Sequence, residues 1–280
     1  MQIESIDTFG IGGTWDAPTD SRIILFENGT GCIRDNGDFV FSPGHNFKVD
    51  ETTNILPFPY EDNAVCPKWQ QFLNDVLPNQ VEQDALMEFV GYCFSNSHRY
   101  QKFLYLIGSG ANGKSVILNV LNNFFGQKFV SHVDVVNLHH HALAGVVNKM
   151  LNISLMDNPR CFKHDQLSSL KRMVSGDSFL INPKCQTPYI LDSKFIPKFI
   201  LHGNETVSLT KDMSLCRRML YLHFNKTFSK EERIQALEKC FKDEFSGIFN
   251  MAIIGLHRLT KNNRFSVNNE ITTLKERVCR

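Results

Sequence analysis

The sequence predicts an α/β fold built on a parallel sheet, and three observations carry that prediction. An apolar run, Phe103-Leu104-Tyr105-Leu106-Ile107, leads into a glycine-rich loop, and the loop leads into apolar residues at helical spacing over 115–125. Apolar runs then alternate with helical or loop segments from 103 to 224, the pattern that packs helices on parallel strands. Ahead of this core lie short β-type runs with tight turns, and behind it lie helical runs.

Taken in order, residues 1–60 form a β-rich segment. Arg22-Ile23-Ile24-Leu25-Phe26, Cys32-Ile33 and Phe39-Val40-Phe41 are short strands, with turns at Asn28-Gly29 and Asn36-Gly37. Residues 61–98 read as a helical pair: Trp69, Phe72, Leu73 and Val76 recur at helical spacing, then Leu86, Phe89, Val90 and Phe94. The core spans 99–225, with strands expected over 151–156, 198–202 and 219–224 and a helix stop at Gly126. Residues 226–280 read as a helical lid or tail, opened by the capping-box pattern Ser229-Lys230-Glu231-Glu232 and continued over 245–259.

Composition excludes several classes. With 280 residues and 42% hydrophobic content the chain buries a sizeable core, and no disordered class applies. The net charge of +1 means that any polyanion must be met by a local patch. Eight dispersed cysteines without a C-x-x-C pair indicate neither a zinc site nor a disulfide framework, so reduced thiols are expected. The run His139-His140-His141 cannot easily converge on one tetrahedral metal. No apolar run is long enough to cross a bilayer.

Gly108-Ser109-Gly110-Ala111-Asn112-Gly113-Lys114-Ser115 meets every fixed position of the phosphate-binding P-loop, between a strand and a helix as its physics requires. Glycines at 108, 110 and 113 let backbone N–H groups turn toward phosphates, and the helix start adds unpaired donors. Lys114 is expected to reach the β- and γ-phosphates of ATP, and Ser115 to hold Mg²⁺. Asp157, closing the apolar run 151–156, is the candidate second Mg²⁺ ligand. Asn158 follows it, where an acid would have taken a proton from the attacking water, so Glu205 or Asp177 is considered as a helper. Asn204 ends another apolar run and suits a water or the γ-phosphate, and Arg217-Arg218 precede the last strand, where a guanidinium can serve as an arginine finger.

These pieces in this order resemble the superfamily III helicases, most closely the carboxy-terminal helicase part of phage and plasmid primase-helicases and primase-polymerases. The resemblance covers roughly residues 26–224 and rests on Asn28-Gly29, residues 57–60, Ala64-Val65-Cys66-Pro67-Lys68-Trp69 with Phe72-Leu73, and Gly91-Tyr92. It continues through the Gly-x-Gly-x-Asn-Gly-Lys-Ser loop, Leu170-Lys171 with Gly176-Asp177, Asn204, and Arg217-Arg218. It implies an AAA+-like core assembling as a ring, most often a hexamer, with ATP between subunits and single-stranded or forked DNA as partner. Lys114, Ser115, Asp157 and Asn204 would then act in cis and Arg218, with Arg217 beside it, in trans; Lys171 could also reach the neighbouring nucleotide. Such helicases send a β-hairpin with a basic tip into the channel, and residues 179–191 read as that hairpin, with Lys184 as the DNA contact. The chain is expected to be the rear portion of a longer replication protein carrying or meeting a primase or polymerase module, in the cytoplasm, that of the host cell if viral.

Two other readings compete. One is a nucleotide-gated DNA-binding ring or scaffold with weak ATPase, which Asn158 favours. The other is a small-molecule P-loop kinase, which leaves Asn204, the arginine pair and the hairpin without a role. The phenylalanines read as core, and Lys261, Arg264, Lys275, Arg277 and Arg280 as a solvated basic set.

Overall fold

A computed structural model of the chain describes residues 21–45, 55–138, 140–156, 164–203, 212–229 and 237–267. Three strands, β1 (Ser21–Phe26), β2 (Gly29–Arg34) and β3 (Phe39–Pro43), pair antiparallel in the order β1-β2-β3. The Asn28 side chain fastens the first turn to the chain ahead of the helices: its amide donates to the Tyr60 carbonyl at 2.8 Å and its oxygen accepts from the Tyr60 N–H at 2.8 Å. Alternation brings Phe39 and Phe41 to one face of this small sheet, where Phe26 meets them edge-on together with Phe58.

Helix α1 (Pro67–Val76) starts with proline at its first turn and buries Trp69, Phe72, Leu73 and Val76, the spacing the sequence predicts. Its cap comes from far along the chain: the Glu244 carboxylate accepts from the N–H groups of Lys68 and Trp69 at 3.1 and 2.9 Å. Helix α2 (Gln80–Tyr92) is capped locally, by the Asn79 side chain on the Val81 N–H. Helix α6 (Phe245–Asn262) packs along α2, so the carboxy-terminal helix is part of the core. The two backbones nearly touch. A Cβ on Gly91 would lie 2.2 Å from the Ala252 carbonyl, and one on Gly255 would lie 2.7 Å from Met87. Phe249 of α6 also reaches Phe26, at 5.0 Å between centroids, which ties the amino-terminal sheet to the same core.

The central sheet has five parallel strands in the order β10-β4-β9-β6-β5, as the strand–helix alternation predicts. They are β4 (Phe103–Ile107), β5 (Val130–Ser131), β6 (Leu151–Leu155), β9 (Lys198–Gly203) and β10 (Met219–His223). Every residue of β4 is buried, in keeping with its continuous apolar run. Between β4 and β5 runs α3 (Lys114–Phe125), ending at Gly126, and α4 (His164–Ser175) precedes an antiparallel hairpin, β7 (Phe179–Ile181) and β8 (Tyr189–Leu191). A one-turn helix, α5 (Met213–Cys216), leads into β10.

The expectation of reduced thiols fails at Cys216, which is disulfide-bonded. Dispersed spacing gave no sign of it. Residues 230–232 of the capping-box run and His139 of the histidine run lie outside the described residues. No helix among the described residues is long and apolar enough to cross a membrane.

Candidate functional site

Strand β4 ends at Ile107, and the loop from Gly108 to Gly113 joins it to α3. Its turn depends on glycine. A Cβ on Gly108 would meet the Asn112 amide at 2.1 Å and the Phe224 carbonyl at 2.6 Å, and Gly113, at φ +90°, would push one to 2.6 Å from Val76. Gly110 and Ala111 also have positive φ, so the backbone is left-handed at three of the loop's positions, 110, 111 and 113. Asn112 is buried and donates to the Phe224 carbonyl at 3.2 Å, pinning the loop to the end of β10.

Lys114 is the first residue of α3 and is only 5% exposed. Its ammonium folds back over the loop, donating to the Gly108 carbonyl at 2.6 Å and to Asn112 Oδ1 at 3.1 Å. Ser115 is exposed in the first turn. Cation, hydroxyl and helix N-terminus therefore converge at the carboxy-terminal edge of a parallel sheet, a constellation suited to a polyphosphate.

Asp157, Asn158, Asn204 and Glu205 lie outside the described residues. The strands leading to them are described. Gly203 pairs with Ile107 across β9 and β4, and Met156 donates its N–H to the His202 carbonyl at 2.7 Å. Both strands thus run toward the edge that carries the loop.

The arginine pair is not there. Met219 pairs with Phe103, so Arg217 and Arg218 stand at the opposite edge of the sheet, a strand length or about 17 Å from their own loop. Arg218 is pinned: its guanidinium donates to Ser175 Oγ at 2.8 and 3.1 Å and to the Ser214 carbonyl at 2.7 Å. Partial burial, and then the neighbouring Arg217 charge, lower its pKa. Arg217 is exposed and donates to Gln101 Oε1 at 3.0 Å. Lys171 pairs with Asp212 at 2.8 Å. Burial pushes the Asp212 carboxyl up, but hydrogen bonds from Lys171 and Ser214 prevail and hold it at about 2. Asp177, considered as a helper to Asp157, instead lies within electrostatic reach of Arg218.

The hairpin forms as read, with Lys184 exposed in its connection and Leu180 paired with Ile190 on an exposed apolar face. One feature escaped the sequence reading. A hollow of about 600 Å³ beside the loop is lined by Val76, Pro78, Asn79, His223 and Asn225, among others. Val76 faces Gly113 and His223 pairs with Ile107, so the hollow adjoins the loop on its β10 side, with room for a nucleoside. Its walls come from the α1–α2 turn and the end of β10, distant segments with no motif of their own.

Residues 106–218 match a family of unknown function, DUF5906, and residues 15–78 match the D5 N terminal like family. A protein of Acanthamoeba polyphaga mimivirus that bears the name helicase is 23% identical over 237 residues, 80% of this chain and 24% of that protein. The chain thus spans about a quarter of that relative's length. The apo structure of the NrS-1 C terminal region has the same fold, with a TM-score of 0.59 at 15% identity over 92% of this chain and 72% of that one. An A form apo structure of the same region gives 0.58 at 12%, with the same coverage. By its family matches, its helicase-named relative and its fold, the chain is similar to the carboxy-terminal region of a phage primase-helicase.

Proposed function

We propose that the chain is the motor of an ATP-dependent DNA helicase of superfamily III type, acting in phage or plasmid replication as a ring, hexameric by resemblance. The observation that carries this reading is the division of the site between two sheet edges: the phosphate loop at one, the arginine pair at the other. At about 17 Å the pair cannot serve its own loop, so a complete site takes the pair from a second copy.

In this reading Lys114 binds the β- and γ-phosphates of ATP, the hollow beside Gly113 takes the nucleoside, and Asn204 orients the attacking water. Ser115, exposed at the start of α3, fits as a Mg²⁺ ligand with Asp157; the ion when bound neutralises phosphate charge. Arg217 or Arg218 from the neighbouring copy stabilises the charge that develops on the transferred phosphoryl group, and Lys184 contacts single-stranded DNA. A primase or polymerase module, fused or separate, and the host-cell cytoplasm complete the setting. A nucleotide-gated ring with weak ATPase is the second reading, favoured by Asn158 beside Asp157.

The test is ATP hydrolysis by the purified chain with and without single-stranded DNA, alongside its mass in ATP and Mg²⁺. DNA-stimulated turnover in a ring-sized assembly is expected. A ring without turnover would select the second reading, and turnover by a monomer indifferent to DNA would sink both.

A further inference from the structure

The sheet has a second concave region at the edge away from the phosphate loop. A hollow of about 580 Å³ opens among the start of β10, the segment entering β4 and the chain that follows α6. Arg99, Lys102 and Arg264 line it, and none of its lining residues is a carboxylate. Two of the three cations are held in place. The Arg99 guanidinium lies 4.7 Å from the Tyr100 ring centroid and donates to the Tyr100 hydroxyl, which donates to the Leu259 carbonyl at 3.3 Å. Lys102 donates to the Arg217 carbonyl. Arg264 is exposed. In a chain of net charge +1, three cations around one hollow are a local concentration of charge.

We infer that this hollow is a second contact for the phosphate backbone of single-stranded nucleic acid, apart from the nucleotide loop and from Lys184. The charge selects a polyanion, and fixed side chains lose less conformational freedom on binding one. Phe265 and Tyr221 are buried in the floor and offer no open ring face, so the contact is to phosphates and is insensitive to sequence. The chain's own continuation from 268 to 280 is the wrong sign for an occupant, with Lys275, Arg277 and Arg280 against Glu270 and Glu276. The inference rests on the helicase reading only for the kind of polymer that the charge meets.

Fluorescence anisotropy of labelled oligothymidylate, titrated with the whole chain at several salt concentrations, tests it. Arg99→Gln with Arg264→Gln removes two phosphate contacts. That should weaken binding about 25-fold at about 0.1 M salt and flatten the slope of log affinity against log salt by about 1.4. Arg264→Glu, at an exposed side chain clear of the Tyr100 contact, should weaken binding in the same direction, and nucleotide binding and melting temperature should hold in both variants. Wild-type affinity and slope in the double variant, with binding lost only in Lys184→Ala, would overturn the inference and leave the helicase reading standing. Preference of the wild-type hollow for polyglutamate, lost in the double variant while oligothymidylate binding is kept, would overturn it in favour of an acidic peptide. No oligothymidylate binding by the wild type would overturn both.

Discussion

Two lysines are buried at opposite edges of the same parallel sheet, and they do different work. Lys114 opens α3 beside the phosphate loop, 5% exposed; Lys198 opens β9 at the far edge, 3% exposed. Lys114 bonds a carbonyl and an amide of a loop whose outer residues, Ser109 and Ala111, are exposed, as is Ser115 beside it in α3, so a phosphate can reach it. Lys198 is walled in. Its ammonium meets the Ser95 carbonyl at 3.3 Å and His98 Nε2 at 3.2 Å, and lies 4.5 Å from the Tyr92 ring centroid. Around it Arg22 donates to Asn96 and to the Cys93 and Lys194 carbonyls, and Asp35 accepts from Ser95 and Asn96. That cluster joins β1, the α2–β4 connection and β9. Burial alone does not mark a working lysine; what surrounds it does.

The sharpest way to break the comparison is to remove each lysine. Lys114→Ala should abolish ATP turnover, a loss beyond about 10³-fold, with binding weakened and the melting temperature nearly unchanged. Lys198→Met should leave ATP binding intact. If isothermal titration shows ATP lost from both, the far-edge cluster is part of the nucleotide site and the contrast is wrong.

The arginine pair sharpens the same contrast between edges. Arg217→Ala should lower turnover by about 10³-fold while sparing ATP binding if, as proposed, the exposed guanidinium serves a neighbouring copy's site. Arg218→Ala should also cost about 1–3 kcal/mol in urea unfolding, since Ser175 and the Ser214 carbonyl lose their donor. Mixing Lys114→Ala with Arg217→Ala should restore activity at interfaces that pair one intact loop with one intact arginine. No recovery in the mixture would count against a shared site.

The elements were largely legible in the sequence because each is a local pattern. The run from Phe103 to Ile107, the loop and Gly126 define β4 and α3 without reference to anything else, and Asn182-Pro183 with Pro188 punctuate the hairpin. Edges and partners were not legible, since they depend on topology. Nothing local says that Glu244 caps α1 from 176 positions away, that Arg22 and Lys198 share one cluster, or that the α1–α2 turn walls the loop's hollow. The resemblance names Arg218, with Arg217 beside it, as the trans residue; nothing local says that Ser175 holds Arg218 while Arg217 is exposed. Asp157 and Asn204 lie outside the described residues, but the strands that lead to them, β6 and β9, run to the loop's edge.

The smallest effect, and the most specific, is a crossing of two pH profiles. Burial, followed by repulsion from Arg22, lowers the Lys198 pKa from its ordinary 10.5 to about 7, and burial with repulsion from Lys198 lowers that of His98 from 6.5 to about 2. Between pH 7 and 10.5 the unfolded lysine holds a proton that the folded one has released, so stability rises with pH across that window. Below 6.5 the unfolded histidine takes a proton that folded His98 refuses, so stability falls further toward acid. Burial likewise holds the Cys93 thiol up at about 12, so it stays neutral throughout. Lys198→Met removes the burial penalty but leaves the Ser95 carbonyl and His98 without a partner. The variant should therefore be more stable than wild type by about 1–4 kcal/mol at pH 6, where the buried ammonium costs most. At pH 10, where the wild-type amine is neutral and only its hydrogen bonds count, the variant should be less stable by about 1–3 kcal/mol. Parallel urea midpoints across that range would mean that Lys198 keeps its charge in the folded chain, and that the far edge tolerates a buried cation as readily as the loop does.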